Sequence, residues 1–352
     1  MGDFTERVKR KNKYNLSKLP LTISAKYGLV DQITFFNKIV ASTDMSNYYL
    51  LKKGEFAYNK SYSNDYPWGA IKRLDNYEQG VLSALYICFT TQDNVESDFI
   101  LQYFESPKWH KSVSEIAVEG ARNHGLLNIS VQNFFQTYHY VPKEKKEQTK
   151  IATLLHLIDE RIATQNKIID KLKSLIKGIA HRISKQDKSN IRLSECLQCS
   201  SSTLQESDVA EVGSYPVYGA NGVVGYLDTY NTTDEAIYII KDGSGVGSVS
   251  YINGKCSATG TLNILQAKDG FSLRYLYFML KVFSFEPYKT GMAIPHIYFK
   301  DYGKAKIFCP PYELQNKYAD LLFKIEQKAI AEQKILDNLC SQKQYLLRQM
   351  FI

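Results

Sequence analysis

One helix-like passage is written twice in this chain. EQTKIATLLHLIDERIATQNKIID, residues 147–170, returns 167 residues later as LQNKYADLLFKIEQKAIAEQKILD, residues 314–337, with nine of 24 positions identical and no gap. The identities are Gln148/Gln315, Lys150/Lys317, Ala152/Ala319, Leu154/Leu321, Leu155/Leu322, Ile158/Ile325, Lys167/Lys334, Ile168/Ile335 and Asp170/Asp337. Along the first copy, Leu155, Ile158, Ile162, Gln165, Ile169, Leu172, Ile176, Ile179 and Ile183 step by three and four. The second copy steps identically through Leu322, Ile325, Ala329, Glu332, Leu336, Leu339, Lys343, Leu346 and Met350. This is a coiled-coil seam sustained over more than three heptads, with no proline in either stretch. About 36 residues at 1.5 Å each give a rod of roughly 50–55 Å. A narrow apolar seam needs a partner, and the simplest partner is the other copy. A tandem duplication with a pseudo-twofold across the rod makes the pair antiparallel. Gln165, Glu332 and Lys343 weaken the seam but help choose its register. The alternative is that each helix packs separately on its own domain.

A globular segment rich in β-branched and aromatic residues precedes each helix. YYLLKKGEFAYNKSYS, GAIKRL and GVLSALYICFTT read as strands, and DFILQYFESPKWHKSV as a helix ending near Pro107. EAIYIIKDG, GSVSYING and GTLNILQA read as glycine-punctuated strands, and SLRYLYFMLKVFS as the matching helix. Both halves close alike, through 125–142 and 293–311, so the order is strands, helix, strand, long helix, twice over. Upstream, residues 1–90 and 191–265 share no sequence register. The expected fold class is α+β: two pseudo-twofold-related domains of mixed strands and helices, separated by two long antiparallel coiled-coil helices. The expected boundaries are 1–142, 143–188 for the first long helix, 189–311, and 312–352 for the second.

With 44% hydrophobic residues the chain is globular, and 352 residues suffice for two or three cores. No apolar run reaches the roughly 18 residues a membrane span needs, and no apolar stretch follows the basic start, so a cytoplasmic protein is expected. Six cysteines are too sparse for a disulfide framework. Cys196 and Cys199 have metal-ligand spacing, but no second ligand pair follows, and no metal is expected. The net charge of +8 is uneven: residues 143–190 hold 12 Lys/Arg against 6 Asp/Glu, whereas 191–311 hold 10 against 11. A basic helix can touch nucleic acid or simply be a solvated face.

No catalytic motif emerges. Asp242-Gly-Ser-Gly-Val-Gly-Ser248 lacks the Gly-Lys-Ser/Thr ending of a P-loop, and the strand-like SVSYING follows it, so no helix N-terminus is there to hold a phosphate. It reads as a hairpin turn with glycines at positive φ. There is no Asn/Asp-Pro-Pro-aromatic motif of base-amino methyltransferases, no HExxH, no EF-hand and no GxSxG. The chain reads as a binder, with no catalytic residues expected.

Asn59, Lys60, Ser61 and Tyr62 lie in a polar turn after a strand, and Lys72 and Arg73 follow. Asn, Lys and Arg are the side chains that recognise adenine and guanine edges, and hydroxyls suit phosphates. Lys26, Tyr27, Arg122 and His124 are weaker candidates. In the second half the candidates are Tyr218 and Asn221 in the turn 215–222, Lys241, Asp242 and Ser244 at a strand end, and Lys289, Thr290 and His296 in a loop before the closing strand. All of these could equally sit in ordinary polar loops.

The two helix passages together resemble the central repeats of the specificity (S) subunits of type I restriction–modification systems. SYPVYGANGVVGYLDTY with IIKDGSGVGSVSYINGK and GTLNI is similar to one class of their target recognition domains. LTISAKYGLVDQ with FFNKIVAS, KKGEFAYNKSYSNDYPWGAIKRL and GVLSALYICF resembles another. The resemblance covers nearly the whole chain. It implies that 1–142 and 189–311 are target recognition domains, each reading half of a split, asymmetric site in double-stranded DNA, with the paired helices as a spacer ruler. It also implies two methyltransferase (modification) subunits and restriction/translocase subunits as partners. Those partners would carry S-adenosylmethionine, ATP and Mg, and none of these would bind this chain. An orphan or phase-variable S subunit, or a coiled-coil adaptor that binds no DNA, remain as alternatives.

Overall fold

The structure is a computed structural model that describes residues 1–24, 27–64, 66–117, 125–291 and 293–351. The chain divides into two compact units, Met1–Thr164 with Leu336–Ile352, and Gln165–Ile335.

The first unit begins with β1 (Thr5–Arg7), β2 (Leu21–Ser24), β3 (Gly28–Asp31) and the short helix α1 (Gln32–Phe36). The strands β4 (Tyr49–Lys52), β5 (Phe56–Asn59), β6 (Ala70–Arg73), β7 (Gln79–Leu82) and β8 (Ile87–Thr91) follow. Then come α2 (Ser97–Glu105), α3 (His110–Ile116), α4 (Val131–Phe135) and the long α5 (Lys145–Ser184). An antiparallel sheet runs in the order β1-β8-β5-β6, and β2–β3 and β4–β7 form separate antiparallel pairs. The period of two along each strand sends alternate residues to opposite faces. Phe56, Tyr58, Ile71, Ile87 and Phe89 enter a core with α2, while Ala57, Ala70 and Cys88 enter a second core with β2, β4 and β7. Phe56 and Phe89 are directly opposite in register, and their rings stack at 5.2 Å.

The second unit takes up β9 (Ile191–Arg192), α6 (Leu193–Cys196), β10 (Leu197–Ser201), β11 (Tyr215–Gly219) and β12 (Gly222–Leu227). It continues through β13 (Ala236–Ile240), β14 (Val249–Ile252), β15 (Ser257–Ala258), β16 (Leu262–Ala267) and α7 (Leu273–Val282). It closes with α8 (Phe299–Tyr302), β17 (Lys306–Ile307) and the long α9 (Tyr312–Gln349), whose last residues belong to the first unit. Its main sheet is β10-β16-β13-β14, antiparallel throughout. Numbered by position in the sequence, both main sheets run first, last, second, third. The two upstream halves therefore share a strand order although they share no sequence register. Here too one face, with Ile237, Ile239 and Leu265, packs on α7. The other, with Ala236, Tyr238 and Ile264, packs on Cys256 and Ala258.

The mixed α+β architecture agrees with the sequence, and so does the antiparallel helix pair. In the first unit Lys343 of α9 meets Asp159 of α5, and Ala152 and Leu155 share a core with Leu347 and Phe351. In the second, Gln165 of α5 meets Glu332 of α9, and Ile176, Ala180 and Ile183 share a core with Ala319 and Leu322. Rising residue numbers on one helix thus meet falling numbers on the other. Gln165 and Glu332 are themselves counterparts in the repeat. The helix-pairing positions Leu155, Ile158, Ile169, Ile176, Leu322, Leu336 and Leu339 are buried. Ile162, Leu172, Ile179, Ile325 and Leu346 are partly buried. The basic residues Lys150, Arg161, Lys167, Lys171, Lys173, Lys177 and Arg182 all lie on the exposed face of α5.

The helix expected to end near Pro107 does so: Ser106, ahead of Pro107, is extended (φ −83°, ψ 159°), as a residue before proline prefers, and a second helix, α3, starts beyond it. Two local expectations need correction. The strand expected within 125–142 is the short helix α4, because Ser130 accepts a hydrogen bond from Asn133 N and caps it. The turn expected over 215–222 is mostly strand: β11 and β12 form a hairpin with Ala220 and Asn221 at its tip and Gly222 at φ +102°. Cys196 is a core residue whose thiol meets the carbonyls of Arg192 and Leu193, and burial pushes it up to about 12. Among the described residues no helix is long and apolar enough to cross a membrane.

Candidate nucleic-acid interface

In each main sheet, the connection between the second and third strands carries sequence-selected candidates. In the first unit this is the β5–β6 connection. The side-chain oxygen of Asn59 accepts from Ser61 N at 3.0 Å, which turns the chain out of β5. Gly69 closes the loop at φ +77°, where a Cβ would lie 2.1 Å from the Asn59 carbonyl oxygen, so the turn requires glycine. The segment just ahead of α4 lies alongside: Leu127 N donates to Lys60 O, Tyr62 N donates to Gly125 O, and Ser61 bridges to Leu126. Ser61 and Tyr62 are exposed. Lys60 is half-buried, its Nζ donates to Ile129 O at 3.3 Å, and burial lowers its ammonium pKa.

In the second unit the same place is the β13–β14 connection. Gly243 and Gly247 take φ +95° and +89°, the hairpin turn expected from DGSGVGS. Again a segment just ahead of a short helix, here α8, lies alongside. Gly243 N donates to Pro295 O, Ile297 N donates to Lys241 O, and Asp242 bridges to His296. Thr290 and His296 exchange both backbone hydrogen bonds. Gly291 at φ +88° makes that tight return, since a Cβ there would meet the Ile294 carbonyl oxygen at 2.3 Å. Tyr218 joins the group through Thr259 N, which donates to Tyr218 O, and Lys241 N donates to Thr261 O beside it. Lys241, Asp242, Ser244, Thr290, His296 and Tyr218 are therefore gathered on linked loops, with Asn221 exposed at the neighbouring hairpin tip.

Other candidates are placed differently. Lys72 pairs with Glu105, Arg73 with Asp75 and Asp98, and Lys289 with Glu286, all within their own units. Tyr27 is 60% exposed in the β2–β3 turn. Lys26, Arg122 and His124 lie outside the described residues. Sequence reasoning passed over Tyr298 and Lys300. The Tyr298 ring meets His296 edge-on at 5.1 Å, and the Lys300 ammonium sits 5.2 Å from the Tyr298 ring centre. The signal was present as basic–aromatic alternation in HIYFK.

Residues 186–340 match the type I restriction modification DNA specificity domain. A protein of Mycoplasma pneumoniae named as a type I specificity subunit is 31% identical over 121 residues, 33% of this chain and 40% of the relative, so the match spans well under half of that relative. A protein of Mycoplasma genitalium named likewise is 23% identical over 286 residues, 74% of this chain and 72% of the relative. The fold aligns with the crystal structure of a type I restriction–modification S subunit from M. genitalium at TM-score 0.65 and 18% identity, covering 100% of this chain and 94% of the other. In its specificity domain over residues 186–340, in sequence over 74% of its length and in fold over all of it, the chain is similar to the specificity subunits of type I restriction–modification systems.

Proposed function

We propose that the two loop platforms are DNA-reading surfaces, one for each half of a bipartite asymmetric site, and that α5 and α9 set the separation between the halves. One observation carries this reading. The same pair of loops, the second-to-third strand connection and the segment ahead of a short helix, recurs in both units with different side chains. A shared scaffold with unlike faces suits a protein that reads two unlike sequences. Asn59, Ser61 and Tyr62 would face one half-site; Asn221, Ser244, His296 and Tyr298 would face the other. Residues 191–311 carry 10 Lys/Arg against 11 Asp/Glu, so this stretch by itself gains little from phosphate attraction. Tight binding then calls for partner subunits that add positive charge.

On this reading the chain directs chemistry that it does not perform. Two modification subunits would supply S-adenosylmethionine-dependent methylation of adenine, and restriction subunits would supply ATP- and Mg-dependent translocation and cleavage. The test is long-read methylation mapping in cells that carry the chain with its modification partner, against cells that lack it. A bipartite adenine motif that disappears with the chain is the expected result. No change despite an assembled complex would refute it. The purified chain alone is expected to transfer no methyl group, and activity without a partner would overturn the assignment of chemistry to the partners.

A further inference from the structure

Each long helix is joined to the helix that follows its sheet by one buried glutamine, and the join is the same in both units. Gln148 is 1% exposed. Its Oε1 accepts from the backbone N of Glu96 at 2.7 Å, and its Nε2 donates to Pro142 O at 2.7 Å. Gln315, its counterpart in the repeat, is 2% exposed. Its Oε1 accepts from the backbone N of Ser272 at 2.9 Å, and its Nε2 donates to Pro310 O at 2.8 Å. Glu96 and Ser272 are the N-cap residues of α2 and α7, and neither caps its helix with its own side chain. In a capping box the third helical residue reaches back to the N-cap N–H. Here that residue is Phe99 or Tyr275, neither of which has an acceptor suited to that reach, and the long helix supplies the acceptor instead.

A second polar contact recurs further along. Asp159 accepts from Gln102 of α2 at 2.9 Å, and its counterpart Glu326 accepts from Tyr277 and Lys281 of α7, both at 2.8 Å. The two contacts are 11 residues apart on the long helix, roughly 16 Å of rise. Apolar packing alone lets a helix slide or rotate by small steps. Two directional bonds at separated points fix both its angle and its register. The helices being held, SDFILQYFE and LRYLYFMLKV, share no identical residue when aligned from their N-caps, yet the glutamine joint recurs on both.

We infer that Gln148 and Gln315 are positioning residues that fix the angle at which each reading sheet is mounted on its long helix, and so set the half-site spacing the protein accepts. This rests on the DNA-reading proposal above. The test uses the chain assembled with its modification partner. The probes are duplexes carrying the mapped motif with its spacer at native length or changed by one base pair. The wild-type complex should methylate the native spacer preferentially. Gln148→Met and Gln315→Met remove both bonds with little change of volume. Each is expected to lower the preference for the native spacer about tenfold while leaving both half-site sequences unchanged. Gln148→Glu keeps the acceptor for Glu96 N and loses the donor to Pro142 O, so it should fall between the two. It also serves as the readout if the methionine variant does not assemble. Assembled variants that keep the wild-type spacer preference, or that lose activity equally on every spacer, would overturn the inference, the latter by showing a role in stability alone. A mapped motif that the wild type methylates equally at all spacers would overturn the inference and leave DNA reading intact. Failure to map any motif would remove both.

Discussion

The two units differ most where they are built from side chains and least where they are built from backbone. Both main sheets run first, last, second, third, yet no residue register connects their strands. Strand order is held by N–H to C=O bonds, which any residue but proline supplies, and the faces need only alternate apolar with whatever the opposite layer demands. The first unit fills its helix face with stacked rings, Phe56, Phe89 and Phe134 among them; the second fills the same face with Ile237, Ile239 and Leu265. The long helices have no such freedom. Each residue of the seam must fit a partner that is nearly a copy of itself, so the sequence repeats there.

The sharpest way to break this comparison is to cut the same residue from both copies. Leu155 and Leu322 are counterparts, both 0% exposed. Leu155→Ala and Leu322→Ala should each cost about 2–5 kcal/mol, and the two values should agree to within about 1 kcal/mol, because the cavities form in equivalent surroundings. Denaturant unfolding followed by hydrogen exchange would locate each loss in its own unit. A large loss from one and a negligible loss from the other would show that the repeat is one of sequence and not of packing.

Acid should separate the units next. His139 lies in the first unit between Tyr103 and Thr137, with Tyr103 Oη 2.9 Å from Nδ1 and Thr137 Oγ1 2.7 Å from Nε2. The Thr137 hydroxyl proton goes to Phe134 O, so Thr137 accepts from Nε2–H and Tyr103 donates to Nδ1, which satisfies the neutral ring. Burial, with the nearby terminal ammonium second, pushes this histidine down to about 3. The folded unit therefore binds the proton less readily than the unfolded chain. Stability is fully present above the ordinary histidine value of 6.5 and declines as pH falls from there towards 3. Between pH 6.5 and 5 the loss is about 2 kcal/mol. In the second unit the position 167 residues later is the exposed Lys306, so the buried histidine has no counterpart there. The first unit should accordingly unfold at higher pH than the second, and His139→Phe should flatten the difference. Equal acid midpoints for the two units, read by exchange, would contradict this.

The seam was legible in the sequence because its partner is in the sequence; the sheets were legible as strands but not as equivalents. Periodicity also carried the second seam one turn too far. Leu346 and Met350 continue the heptad count, but Leu347 and Phe351 are the more deeply buried residues, and Phe351 packs on Phe99 and Tyr103. A helix of 3.6 residues per turn drifts from a strict 3.5 repeat, and at its end α9 faces a domain core instead of a seam. For the candidate interface, residue type found the loops, and backbone bonds between segments distant in sequence joined them. Lys72 and Arg73 illustrate the limit: chemically apt for bases, they are held by Glu105 and Asp98, acids that only folding brings near, and Arg73 also by Asp75 two residues along.

The smallest effect is the one that speaks to the faces themselves. Asn59 and Asn221 both have the side chain suited to an adenine edge, but only Asn59 also holds its own turn, through Ser61 N. Asn221 is exposed at the β11–β12 tip. Asn221→Ala should therefore leave stability within about 0.5 kcal/mol of wild type and lower discrimination at one base of one half-site by about 1–2 kcal/mol. Asn59→Ala should relax the other half-site and also destabilise the first unit by about 1 kcal/mol. Methylation profiling of duplexes randomised at each half-site, beside thermal unfolding, reads both quantities. If Asn221→Ala weakened every sequence alike in both half-sites, the residue would be touching phosphate, and the reading contacts would have to be sought among Ser244, His296 and Tyr298 on the neighbouring loops.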